Sequence, residues 1–218
     1  MGANEALFAK YKAVMAAQGD RLSAPRRQVL KHAIRNFVLS GAELQGEARA
    51  RYAAIQERSA ELQQQFSEHV LDATDGWSHI ATTEELAGVP QDVLDATRLD
   101  DGGKEAQHRL TLHFPVYLPV MQYAEDRALR ETIYRESATR ASEFGKPEWD
   151  NTRLISRILH LRREDARLLG YANFAEVSLV PKMARTPGQV AEFLRDLAAR
   201  ARPFAERDLA ELRAFARE

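Results

Sequence analysis

The sequence contains no cysteine. Disulfides and thiolate metal sites are therefore excluded, which suits a reducing compartment. Long apolar runs are also missing. No segment approaches the ~20 apolar residues of a membrane-spanning helix. Glu5, Lys10 and Lys12 interrupt the stretch where a secretory leader would be apolar. Met1-Gly2 begins a myristoylation pattern, but Ala6 stands where Ser or Thr is needed. Excess charge is absent too: 31 Lys+Arg against 32 Asp+Glu give a formal net charge of −1. No overall field draws the chain to nucleic acid or anionic lipid. These absences predict a cytoplasmic chain.

Two common catalytic frameworks are missing. Ser67, Ser137, Ser142 and Ser178 have no G-x-S-x-G setting. Gly102-Gly103 is followed by neither a Walker pattern nor G-x-G-x-x-G, so it is no phosphate loop.

What is present is helical periodicity. With 44% hydrophobic residues in 218, the chain can build a core. Apolar residues recur three, four or seven apart through most of its length. Asn4–Gln18 reads as a helix with Leu7, Phe8, Tyr11, Val14 and Met15 on one face. Ser23-Ala24-Pro25 starts a second, closed by Gly41. Gly46–Asp72 reads as one long helix, with Tyr52, Ile55, Leu62, Phe66, Val70 and Leu71 near heptad spacing. Asp72–Gly76 should break it.

Two strands are expected, Trp77–Thr82 and Arg109–Phe114, and a short helix opens at Pro90. Asp100-Asp101-Gly102-Gly103 signals a loop. Pro115 and Pro119 should bracket a turn into a helix near Leu118–Tyr123, and another helix covers Arg127–Phe144. An amphipathic helix follows, with Asp150 or Asn151 as cap, Leu154, Ile155, Ile158, Leu161, Leu168 and Leu169 inward, and Gly170 as a left-handed stop. A short helix follows Asn173. Thr186-Pro187 starts the last, whose apolar face is Val190, Phe193, Leu194, Leu197, Phe204, Leu212 and Phe215; Pro203 should kink or divide it. The fold class is thus mainly α: a multi-helix array with long helices and one small two-stranded β element. No linker divides residues 1–218, so a single helical region is expected.

Each cluster that suggests chemistry also has a structural reading. His160 and Glu164 share a helix face, but catalytic zinc needs about three protein ligands and no second histidine is spaced to join them. A surface ion pair fits better. Near His69, Asp72 and Asp75 fit a helix end and turn. His108 and His113 flank a strand pattern as ordinary polar residues. His32 and His79 have no convergent partner. Tyr117, Tyr123 and Tyr134 read as core residues rather than a channel lining. The arginines of the last two helices read as a solvated face rather than a carboxylate-steering one. No catalytic, cofactor-binding or metal-binding residue is assigned.

Some stretches carry more than periodicity. WDNT at Trp149–Thr152, IL-x-LR-x-E-x-A-x-LLG ending at Gly170, N-x-A-E-x-SL at Asn173–Leu179 and KMA at Lys182–Ala184 occur in that order. FSEHVLDATDGW at Phe66–Trp77 and the run Leu110–Ser142 precede them. From about Ala24 onward the chain resembles the oligopeptidase A / thimet oligopeptidase family of zinc metallopeptidases. The resemblance implies a neurolysin-like helical part, zinc in the parent enzyme, and short peptides as substrates. That family's chemistry resides in H-E-x-x-H and a later glutamate, and this sequence has no H-E-x-x-H.

The expectation is therefore a non-catalytic portion of a larger peptidase, inactive alone. It would supply scaffold and channel wall to a missing catalytic domain. It would bind no metal itself, and would self-associate through exposed apolar stripes. Neither nucleic acid nor membrane is an expected partner. The alternative is a stand-alone helical module that binds peptides or a partner without chemistry.

Overall fold

The computed structural model describes residues 4–99 and 106–217. The loop signal at Asp100–Gly103 and the Gly2 position lie outside the described residues. The elements, in order, are α1 (Glu5–Gln18), α2 (Ala24–Leu39), α3 (Gly46–Asp75), β1 (Ser78–Thr82), α4 (Gln91–Thr97), β2 (Arg98–Leu99), β3 (Gln107–Thr111), α5 (Phe114–Tyr123), α6 (Arg127–Ala138), α7 (Thr152–Leu168), α8 (Phe174–Leu179) and α9 (Pro187–Phe215). A 3-10 turn, Pro147–Trp149, precedes α7. The chain is mainly α, as its periodicity requires. It resolves into two compact units, residues 1–56 with 161–218 and residues 57–160. The boundaries fall inside α3 and α7, where no linker composition could mark them.

In the first unit, Asn4 caps α1 by accepting from the Leu7 amide at 3.0 Å. Phe8 stacks on Phe37 of α2, with ring centroids 5.3 Å apart. Ile55 of α3 is 1% exposed. Gly41 takes a left-handed φ of 78°, and a Cβ there would lie 2.8 Å from the Tyr52 ring. Glycine therefore permits both the turn and the close approach.

The second unit is built on β1, β3 and β2, in that spatial order and antiparallel throughout. His79 opposes Leu110, and Ala81 opposes His108. The core gathers Ala81, Leu86, Leu110, Val120, Leu129 and Ile133. Three strands, not two, form the sheet: Arg98-Leu99 is too short to show a period and pairs only because α4 delivers it to the edge of β3.

Several boundaries differ from expectation. α3 continues to Asp75, because Gly76 donates to the Asp72 carbonyl at 2.8 Å and completes one more turn. α5 begins at Phe114 and absorbs both prolines: Pro115 sits in the first turn, and Pro119 sacrifices only a bond to the exposed first-turn Pro115 carbonyl. α6 stops at Ala138, where the Thr139 hydroxyl donates to Arg135 O at 2.8 Å and Arg140 Nε to Ser137 O at 3.0 Å. Pro203 does not divide α9; the carbonyl it leaves unbonded belongs to exposed Ala199.

Burial also departs from the stripes. Val14, Val29, Leu71 and Ile155 are exposed. α9 buries no residue at all, and Phe193, Leu194, Leu197, Phe204, Leu212 and Phe215 are all more than half exposed. A helix pattern specifies which side is apolar, not that something covers it.

Candidate functional site

The histidines scatter. His160 is exposed on α7. The Glu164 carboxylate accepts from Arg51 Nε at 2.5 Å and Nη2 at 2.7 Å. This bidentate bond and its charge hold the Arg51 guanidinium above its ordinary pKa. His69 does not join Asp72 and Asp75. Its Nδ1 lies 2.9 Å from Asn151 Oδ1; the amide oxygen is an acceptor, so Nδ1 carries the proton. Asp75 instead meets His113 Nε2 at 3.0 Å. His108 is buried: Nδ1 donates to Leu94 O at 3.0 Å, and Nε2 accepts from the Thr83 hydroxyl at 3.3 Å. It pins α4 to β3. His79 stacks against Trp77, and His32 bonds Gln28. Among the described residues, no three His, Cys, Asp or Glu side chains converge on a metal position.

Of the three tyrosines, Tyr117 packs against the core, but Tyr123 and Tyr134 are 53% and 58% exposed. Core packing was the wrong expectation for those two. Tyr123 ends α5, and Tyr134 lies on the solvent side of amphipathic α6. Along α9, the Arg200–Asp196 and Arg202–Glu206 pairs lie on the solvated surface.

The WDNT motif is a structural junction. Asp150 accepts from the Thr152 amide at 2.8 Å, opening α7; the hydrogen bonds from Thr152 lower its pKa. Asn151 is 2% exposed. Its amide nitrogen donates to Phe66 O at 3.0 Å, its backbone N–H to Ala141 O at 3.0 Å, and its Oδ1 accepts from His69. Every polar function of that buried side chain is used on α3. Trp149 fills the space left by Gly76: a Cβ on that glycine would lie 2.5 Å from Trp149 Cη2.

These residues border a cleft of about 180 Å³ in the second unit. Trp77, Trp149, Leu112 and Ala141 form its apolar part; Arg140, Lys146, Thr139 and Glu136 supply polar groups. Lys146 Nζ stands 4.3 Å above the Trp149 ring. Arg140 Nη1 donates to Thr74 Oγ1 at 3.0 Å. Sequence reasoning missed this cleft because its lining comes from the ends of α3 and α6, the residues that follow α3, β3 and α6, and the turn before α7. The one available signal was that both tryptophans of the chain fall in family-like motifs.

A second feature missed was Asp165, 7% exposed, on the apolar side of α7 and held by Gln56 at 3.3 Å. Burial raises its pKa. Burial, with the Asp165 charge second, pushes the Tyr52 phenol to about 12. Its place could have been read from its spacing, four after Leu161 and three before Leu168.

Known proteins resemble this chain over these stretches. The pattern of peptidase family M3 matches residues 120–218. The whole chain is 45% identical, over 224 aligned residues, to 33% of the length of oligopeptidase A from Escherichia coli. It is 36% identical to the organellar oligopeptidase A of Arabidopsis thaliana, over all of this chain and 28% of that protein. With the dipeptidyl carboxypeptidase of Salmonella typhimurium the identity is 30%, over 96% of this chain and 31% of the relative. The chain spans about a third of the length of the relatives it matches most fully.

Proposed function

This chain belongs to peptidase family M3, on its oligopeptidase A side, and from that premise we propose that it is the non-catalytic helical portion of a zinc-dependent oligopeptidase acting on short peptides. The observation that carries the reading is the 45% identity between all of this chain and one third of an oligopeptidase A. WDNT, one of the motifs that carry the resemblance in the sequence, serves the fold: its residues cap α7, bond α3 and pack against Gly76. That is what a scaffold contributes to a channel wall.

In this reading, the zinc ligands and the general base belong to the remainder of the parent protein. When bound there, the metal would activate water for attack on the scissile carbonyl. Among the described residues no three His, Cys, Asp or Glu side chains converge on a metal position, and no step is assigned to them. The cytoplasm is the proposed compartment, in line with the relative named probable cytosolic oligopeptidase A. No helix among the described residues is long and apolar enough to cross a membrane.

The test is turnover. The purified chain with added zinc should leave a quenched short peptide intact. Chelator-sensitive cleavage by this chain alone would refute the proposal. The second reading, a helical binding module without chemistry, draws on a sequence without H-E-x-x-H and on the long helices α3 and α9. A reading frame that encodes H-E-x-x-H in the same polypeptide favours the peptidase; its absence favours the module.

A further inference from the structure

We propose that the cleft of the second unit binds the carboxyl-terminal residue of a short peptide through an apolar side chain. This rests on the peptide-acting reading above.

Size limits the ligand first. The volume of about 180 Å³ is below the ~300–1,000 Å³ of pockets for drug-sized molecules. It admits one residue, not a helix or an extended strand. The floor is apolar and rigid. Trp77 is followed directly by β1, Trp149 closes a 3-10 turn, and Gly76 lets that indole lie against the end of α3.

Charge is the second limit. Arg140 and Glu136 are spaced for an i,i+4 ion pair, yet they form none. Arg140 is turned to Ser137 O and Thr74 Oγ1. That leaves Nη2 with no partner among the described residues, while the guanidinium is fixed in direction. Lys146 is held over Trp149 and also has no carboxylate partner among the described residues. Two cations, one of them immobilised, therefore border an apolar floor. Glu136 is the one acid of the lining and opposes a second negative charge, which favours a monoanion. A terminal carboxylate attached to an apolar side chain satisfies both ends of the cleft. An inorganic anion leaves the indoles uncovered.

The chain has two tryptophans, Trp77 and Trp149, and both line the cleft. Intrinsic fluorescence of the whole chain therefore reports the site directly. N-acetyl-L-leucine should give a saturable change. N-acetyl-L-leucinamide and inorganic phosphate should bind about tenfold more weakly or worse, the loss expected for one charge-assisted hydrogen bond or for the apolar contact. Lys146→Gln, at an exposed position, should weaken the acid while leaving the circular dichroism unchanged; Arg140→Gln should do the same more strongly. Equal response to acid and amide overturns the proposal. So does phosphate matching the acid, the absence of saturation, or indifference to both substitutions. Any of those results leaves the peptidase reading intact, since that reading is judged by turnover.

Discussion

At the residue scale, the chain places polar side chains where burial makes their partners decisive. Asn151 is tolerated inside because each of its polar groups is used; leaving one unpaired would cost ~1–3 kcal/mol. Asp165 is the less comfortable case. Its folded pKa lies above the ordinary value of 3.8 because burial disfavours the charged form. The folded state therefore holds the proton more tightly than the unfolded one. The resulting stability is fully present below the ordinary pKa and is lost as pH rises through the folded value. At neutral pH the carboxylate is a net cost. Asp165→Asn should raise urea-denaturation stability at pH 7, within the ~0.5–2 kcal/mol common for single stabilising changes, and flatten the loss between acid and neutral pH. A variant less stable than the parent at pH 7 would show that the charge is used.

At the element scale, helix ends are set by side chains and glycines rather than by propensity. Gly170 ends α7 with φ of 82°, and a Cβ there meets nothing within 4 Å. The Tyr171 amide then donates to Ala166 O at 2.8 Å, closing the last turn. Gly170→Ala is consequently a pure conformational test and should cost ~1–2 kcal/mol, the left-handed penalty for an L-residue. A neutral result in thermal melts would show that the turn relaxes. Gly76→Ala is different in kind: its strain is steric, against Trp149. The same logic explains why the sequence boundaries of α3 and α6 erred. A Gly or a polar run marks a possible stop, but the carbonyls it leaves open are claimed by whichever donor the tertiary structure supplies.

At the scale of the whole molecule, α9 is the unresolved element energetically. A 29-residue helix with no buried residue carries its apolar stripe into water. Phe193, Leu197, Phe204 and Phe215 lie within a narrow arc of that helix. Such a face is far larger than scattered surface apolars require. The chain should self-associate with concentration in light scattering, and Leu197→Glu with Phe204→Glu should return it to the monomer. A monomeric parent chain across the same range would contradict this.

Periodicity alone determined the helical class and most element centres, because the period of 3.6 is a local property that needs no partner. The helix starts at Asn4, Asn173 and Thr186 were equally local, since each side chain bonds an amide three residues on. The family motifs were readable for what they match, not for what they do. Only the tertiary structure decided that Asn151 joins α3 and that Asp75 turns to His113. It also decided that two indoles and two cations meet in one cleft. Those juxtapositions join residues dozens of positions apart, and nothing in the local pattern encodes the distance between them.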